Sequence, residues 1–576
     1  MENNQEIFIT DMYKAFEPKE IIKRDGQRST WSWLTYNTVD YNGTMLLTPN
    51  CNQPSDLSFD PKLCGWYKIY ITFAGAPGSI LHAKLSSDSC FVYVMSHQAS
   101  LYDMEQVFWR CADLTDEKIV ITTNNTSHQH ASIAALRFIP MTDEEIALCK
   151  ADKQRTDTKR MYVTEDMGNC FWDHTKMTPD DWRSVVACYR DSDVEWFSAE
   201  FSPPLEEDPP KDWFNNEIYA AMVDEAHKLG IKFAVSNRMG HWGVGYPYYF
   251  KGSGYEFVDD HPEYHCLDRD GSIVGALSYA FPEVRKHKID AYVTAAKCGA
   301  DAVCLLACRG VPYVLFEKPV ADAFYEKYGE YPYEYTFDDP KLRDIHCEFM
   351  TQYLREMRQA LDEEFGKNKI RIQLRGFNSI EDCANIGFDV YKLAEEGLID
   401  EVATHTRRYF EDIPPELMKE DDPTKIDIEK FTKHIYANTG NSDTTALYWE
   451  DACYAPFRNS RGIIPGPRSF EENVQQWKEF SDKFGIRVYH EMFHMCKDPE
   501  KAKKNIEILY QNGGDGITLF NTCMFSHNPV LWPILAKSGH KNEFSELEPT
   551  PSGYKKTRVY EFDGVNMNRY KPLWGG

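Results

Sequence analysis

The hydrophobic pattern changes character once along the chain. Up to about residue 140, short runs of β-branched and aromatic residues alternate with polar ones, as at 65–73, 89–95 and 118–123. Gly/Pro/Asn/Ser turn signals such as 76–78 separate them, which predicts many short strands in a β-sandwich. The segment 131–140 reads as the last strand of that unit, and a charged helix at 142–153 as a linker within 141–158. From Lys159 the period switches to apolar strand runs followed by amphipathic helices, the mark of parallel βα units. Strands are predicted at 160–165, 194–201, 232–237, 302–308, 370–376, 401–405, 486–491 and 516–521. Helices are predicted at 216–229, 282–298, 340–365, 383–396 and 499–511, several of them followed by Gly.

Eight such units over 159–540 predict an α/β fold, a (β/α)₈ TIM barrel preceded by the sandwich. An open doubly wound sheet is the alternative. A ninth strand-like run at 444–449 is read as part of an insertion over the barrel mouth, 410–470. The tail, 541–576, carries a strand pattern at 557–562 that is expected to dock on the sandwich.

Charge and cysteine usage narrow the class. The net charge of −26 repels nucleic-acid phosphate and anionic membrane, so neither is expected as a partner. Sixteen cysteines without CxxC pairs, several in core-like segments, argue for thiols in a reducing cytosol rather than a disulfide framework. No basic, then apolar, leader opens the chain, and no run reaches the length of a membrane span. A cytoplasmic location is therefore expected, and a homo-oligomer is compatible with the pattern.

In a (β/α)₈ barrel the reactive side chains gather at the C-terminal ends of the strands. The polar residues there are Glu165 and Asp166, Glu200, Asn237, Arg238 and His241, Arg309, Arg375, His405 and Arg407, Glu491 and His494, and Asn521, with Trp449, Glu450 and Asp451 ending the extra run. Many are carboxylates, as glycoside hydrolysis requires: one protonates the leaving oxygen and another attacks or activates water. Arginines end four successive strands (Arg238, Arg309, Arg375, Arg407). They either bind an anionic sugar or neutralise the rim carboxylates. With aromatics at 14% of the chain, rings near the rim are available for sugar stacking, and Trp242, Tyr246, Tyr313 and Trp449 are the candidates.

A competing motif is His490-Glu-Met-Phe-His494, which matches the H-E-x-x-H of zinc hydrolases. That motif needs a helix to bring both histidines to one metal. Here 486–491 reads as a strand, so no metal site and no cofactor is expected, and a zinc hydrolase stays a second alternative.

Leu277-Ser-Tyr-Ala-Phe-Pro-Glu-Val-Arg285, Gly299-Ala-Asp301, Arg309-Gly-Val-Pro-Tyr313 and Asn512-Gly-Gly-Asp-Gly-Ile-Thr-Leu-Phe-Asn521 resemble bacterial family-ten-like glycoside hydrolases, and the similarity extends over most of the chain. The resemblance implies a barrel and a carbohydrate substrate. It also implies acidic residues on the fourth strand just before the arginine, where this chain has Val303-Cys-Leu-Leu-Ala-Cys308. A barrel that binds carbohydrate without cleaving it is thus the first alternative. The expected activity is hydrolysis of a small glycoside, with Glu491 as nucleophile or base, and Glu450 or Asp451 as acid, with Glu200 as a further candidate. Alanine at 491 is expected to abolish turnover and leave the thermal melt nearly unchanged.

Overall fold

The computed structural model describes residues 5–24, 26–49, 52–73, 79–96, 102–123, 130–165, 178–201, 216–240, 256–308, 312–335, 339–405, 416, 420, 430, 469–492, 499–520, 528–547 and 553–567.

Two antiparallel sheets make up the N-terminal part. The larger runs in the order Ile7–Ile9, Ala135–Pro140, Trp66–Phe73, Asp103–Asp113, Lys555–Phe562, Trp31–Thr38, Asn42–Pro49 and His130–Ile133. The smaller holds Leu57–Phe59, Ile119–Thr122, Ile80–Leu85 and Val92–Met95. Period-2 alternation explains their shared core: Ile69, Ile71 and Phe73 of one sheet meet Leu81, Ala83, Ile119 and Ile121 of the other. The C-terminal strand Lys555–Phe562 is inserted between Asp103–Asp113 and Trp31–Thr38, so the last segment of the chain completes the first domain's sheet.

The smaller sheet is apolar on its outer face as well, where Ile80 and Tyr93 join the core around the barrel. Polar contacts fasten the same junction: Asp88 receives Arg110 and Arg190, each at 2.6 Å, one from each domain.

Helix α1 (Asp143–Lys153) connects the domains, opened by a capping box in which Thr142 and Glu145 satisfy each other's backbone amides. Its far end is fixed to the barrel through His540. The two ring nitrogens of His540 lie 2.8 Å from Asp193 and 2.7 Å from Asp152. Burial alone lowers the pKa of His540, but the two carboxylates outweigh this and raise it to about 9. A folded value above the ordinary ~6.5 means the stabilisation is complete below that pH and is lost as pH rises through 9. Unfolding free energy should therefore fall by about 2–3 kcal/mol between pH 7 and pH 10 beyond the change seen in His540→Gln. Denaturant melts at both pH values check this, and equal pH slopes in the two proteins would contradict it.

The barrel closes through eight parallel strands: β1 (Met161–Glu165), β2 (Val194–Glu200), β3 (Lys232–Arg238), β4 (Ala302–Leu306), β5 (Arg371–Phe377), β6 (Glu401–His405), β7 (Arg487–Glu491) and β8 (Gly516–Phe520). β8 pairs back onto β1, which excludes the open doubly wound sheet. These eight fill the barrel. The run at 444–449 is not one of them and, with the rest of 431–468, lies outside the described residues. Alternate side chains face the axis, among them Tyr162, Trp196, Ala234, Cys304, Ala403, Tyr489 and Phe520, and make a packed interior rather than a pore. Their neighbours Val163, Phe197, Val235, Val303, Leu374 and Val402 point out to the helices.

Two helices, Pro340–Phe365 and Pro499–Gln511, have the predicted bounds. The single helix expected at 383–396 is instead two, Ile380–Asn385 and Val390–Glu395. Gly387 between them has φ +96°, and a Cβ there would meet Met350 at 2.7 Å, so the chain turns where the apolar period alone suggests continuity. Among the described residues eleven cysteines are present as thiols.

Candidate active site

At the C-terminal end of the barrel the inward positions become polar. On β7 the pleat turns Val488 outward and Tyr489 inward, which brings Glu491 to the interior as the strand ends. On β5 the same alternation places Arg375 inward. The two side chains form an ion pair across the barrel, and both are 0% exposed. Nη1 of Arg375 also donates to the hydroxyls of Thr164 on β1 and Thr518 on β8, at 2.9 Å each. The guanidinium lies over the Phe520 ring, 5.1 Å from its centroid.

Glu491 is held from further directions. The amide of Met492 donates to its carboxylate at 3.1 Å, and the amide of Glu491 itself donates to the Thr404 hydroxyl on β6 at 3.0 Å. His405, at the end of β6, brings Nδ1 to 3.6 Å from the carboxylate oxygen that faces Arg375. Its ring also packs beside Phe520, at 5.8 Å between centroids. Strands β5, β6 and β7 thus bring groups to one carboxylate, and β1 and β8 hold the Arg375 that pairs with it. Preorganisation of this kind fixes a reacting group with little further cost in entropy.

A second carboxylate stands on the other side of the barrel. Glu200, ending β2, is 7% exposed and pairs with Arg238 of β3 at 2.8 Å. Behind them, on the helix side of β3, Asn237 accepts from the buried ammonium of Lys288 at 3.0 Å and donates to the Phe201 carbonyl at 2.5 Å. Burial holds Lys288 down to about 7. Asn237 therefore belongs to the barrel wall, not to its interior.

Of the predicted site residues, the structure brings Glu491, Arg375 and His405 together, and pairs Glu200 with Arg238. Both described strand-end arginines lie on rim carboxylates, as the neutralising role requires. Glu165, also expected at the rim, turns outward and accepts a hydrogen bond from Tyr189. Tyr313, proposed to stack a sugar, is 1% exposed. Its ring packs edge-on against Tyr279 and Phe388, and its hydroxyl donates to the Ala307 carbonyl, so it is a wall residue in this structure. Asp166, His241, Trp242, Tyr246, Arg309, Arg407, Trp449, Glu450, Asp451, His494 and Asn521 lie outside the described residues.

Three participants were absent from the sequence-based set: Thr164, Thr518 and Thr404, which support Arg375 and Glu491. Their signal was the period-2 alternation, since Thr164 shares the inward face of β1 with Tyr162.

The H-E-x-x-H reading meets its geometry here. His490 and Glu491 lie in a strand, so their side chains leave on opposite faces. His490 is buried against the ring of Phe470, and burial pushes its pKa down to about 4. A zinc site of the helical type needs both histidines on one helical face, which β7 does not provide. The buried pair changes what is expected of alanine at 491, from an unchanged thermal melt to a destabilised protein. That substitution would leave Arg375 charged and buried without its partner, which costs about 3–5 kcal/mol.

No family model matches the chain, and no curated protein matches it. Similar solved structures include the catalytic domain of β-amylase from Paenibacillus polymyxa, at 11% identity and TM-score 0.41, covering 68% of this chain and 99% of that one. An α-galactosidase from Thermus thermophilus matches at 11% identity and TM-score 0.33, covering 94% and 100%. A GH26-CBM35 β-(1,4)-mannanase from Podospora anserina matches at 9% identity and TM-score 0.30, covering 94% and 96%. At these TM-scores the likenesses carry no weight for the activity of this chain.

Proposed function

We propose that the chain is a glycoside hydrolase whose reaction takes place at the C-terminal rim of the barrel, with Glu491 as nucleophile or general base. The observation that carries this reading is the enclosure of the Glu491 carboxylate by Arg375, His405 and the Met492 amide, with Arg375 itself held by Thr164 and Thr518. An ion-paired carboxylate is suited to attack an anomeric carbon or to deprotonate water. The proton donor then has to be a different group. Glu450 and Asp451 are the candidates for it, and Glu200, paired with Arg238, is assigned to holding substrate hydroxyls or to electrostatic support of the oxocarbenium-like transition state.

Because Arg238 and Arg375 are engaged with carboxylates, preference for an anionic sugar rests on Arg309 and Arg407. A neutral sugar is the simpler expectation, with Trp242 and Trp449 as stacking rings. The substrate class is a small glycoside or oligosaccharide.

One observation favours a second reading. The inward residues of β4 are Ala302, Cys304 and Leu306, so this strand brings no acid into the interior. A barrel without its proton donor would bind a glycan and release it uncut. Glycosides with unactivated alkyl or sugar leaving groups, which depart only when protonated, separate the two readings when assayed in the presence of a chelator. Cleavage supports the hydrolase. Saturable glycan binding by calorimetry without any cleavage would favour the binding protein, and cleavage abolished by the chelator would favour a metal enzyme.

A further inference from the structure

We propose that Cys111 and Cys149 form a redox pair, closed by hydroperoxides into a disulfide that ties the sandwich to the interdomain helix α1. The argument begins with register. Cys111 lies in the strand Asp103–Asp113, directly opposite Lys68 of Trp66–Phe73. Lys68 reaches out of the sheet to Glu145 of α1 at 2.6 Å. Cys149 is one helical turn beyond Glu145 and so lies on the same face of α1. The next turn is held down too, with Lys150 and Lys153 over the Trp66 ring at 5.2 and 5.6 Å. The helix therefore lies along these two strands, which puts Cys149 over Cys111 with the two thiols within reach of a side-chain hydrogen bond.

Two further features make the pair chemically unequal. The side-chain hydrogen bond from Cys111, assisted by the charges of Lys153 and Lys537, holds the Cys149 thiol down to about 7 against its burial. The same hydrogen bond, with burial, pushes Cys111 up. Cys149 is thus the nucleophile and Cys111 the resolving thiol. Both are half-buried rather than sealed in the core, so a small peroxide can reach them.

The balance is that of a two-electron oxidation. The Cys149 thiolate attacks a peroxide oxygen, the O–O bond breaks, and the leaving oxygen departs as water or an alcohol after taking a proton. Cys149 is then a sulfenic acid. The Cys111 sulfur attacks it, the S–O bond breaks as the S–S bond forms, and the Cys111 proton leaves with the hydroxide as water. Two thiols are oxidised and one hydroperoxide is reduced. Because α1 is anchored to the barrel through Asp152 and His540, the disulfide fastens the sandwich covalently to an element the barrel already holds.

The test uses the whole chain treated with equimolar hydrogen peroxide at pH 7, followed by alkylation and peptide mapping without reductant. The first cross-linked peptide pair to appear should join Cys111 to Cys149. It should disappear with dithiothreitol, and its formation should raise the melting temperature by about 5 °C. Cys111→Ala should accumulate dimedone-reactive sulfenic acid at Cys149 and slow its alkylation at pH 7 by roughly fivefold, because the hydrogen bond that favours the thiolate is gone. The exposed Cys64 serves as the internal reference. Oxidation of Cys64 ahead of Cys149, or Cys111 and Cys149 still fully alkylatable once other thiols are oxidised, would overturn the proposal.

Discussion

Replacing Arg375 with methionine is expected to lower the stability of the barrel by about 3–5 kcal/mol, more than any exposed charge substitution in this chain. Methionine fills much of the same volume, so the loss is not mainly a cavity effect. It arises because Glu491 would remain charged in an interior where it is 0% exposed, with its strongest partner gone. Thr164 and Thr518 would each lose a 2.9 Å donor at the same time. Exposed pairs in the same molecule, such as Lys286 with Asp290, are worth at most about 1 kcal/mol and set the scale. The double variant Arg375→Met/Glu491→Leu removes both charges and should regain most of the loss, since burying the intact pair costs nearly what the pair gains. Denaturant unfolding of the wild type, Arg375→Met, Glu491→Leu and the double variant checks the argument. Additive losses in the double variant would mean that the two residues act separately.

Glu491→Gln is expected to lower kcat by at least about 10³-fold while the protein stays folded at 25 °C. The amide keeps the shape of the carboxylate and one acceptor oxygen for Arg375, so its melting temperature should fall by less than that of Arg375→Met. What it cannot do is attack an anomeric carbon or take a proton from water. A comparison with His405→Gln separates chemistry from placement. His405 stands 3.6 Å from the carboxylate and acts through it, so its loss should alter the pH profile and lower kcat by a smaller factor, about 10-fold. Full activity in Glu491→Gln would remove this residue from the mechanism.

The barrel was legible because parallel strands covered on both faces leave a strong record: apolar runs such as Ala302–Leu306, a following helix, and a glycine at the turn, as at Gly230 with φ +69°. The inward position of Glu491 could also be read, since it shares strand parity with Tyr489. The partnership of Arg375 with Glu491 could not, because it runs across the barrel between strands more than a hundred residues apart and no local spacing encodes it. The four strand-end arginines look alike in sequence. Only the geometry shows that Arg375 is enclosed while Arg238 lies nearer the surface. Tyr313 misled for a similar reason. It follows β4 closely enough to suggest the rim, yet its ring lies against Tyr279 and Phe388. The two threonines under Arg375 were overlooked because Thr is an ordinary strand residue, and its role appears only when a buried guanidinium needs acceptors.

The most direct test of the central claim is turnover of a panel of aryl glycosides, in both anomers and with neutral and anionic sugars, by the wild-type chain and Glu491→Gln side by side with chelator present. Cleavage by the wild type of one sugar in one anomeric form, lost in the variant while its circular dichroism is unchanged, is the result predicted. Equal cleavage by both proteins, or glycan binding by both with no cleavage of any member of the panel, would contradict it.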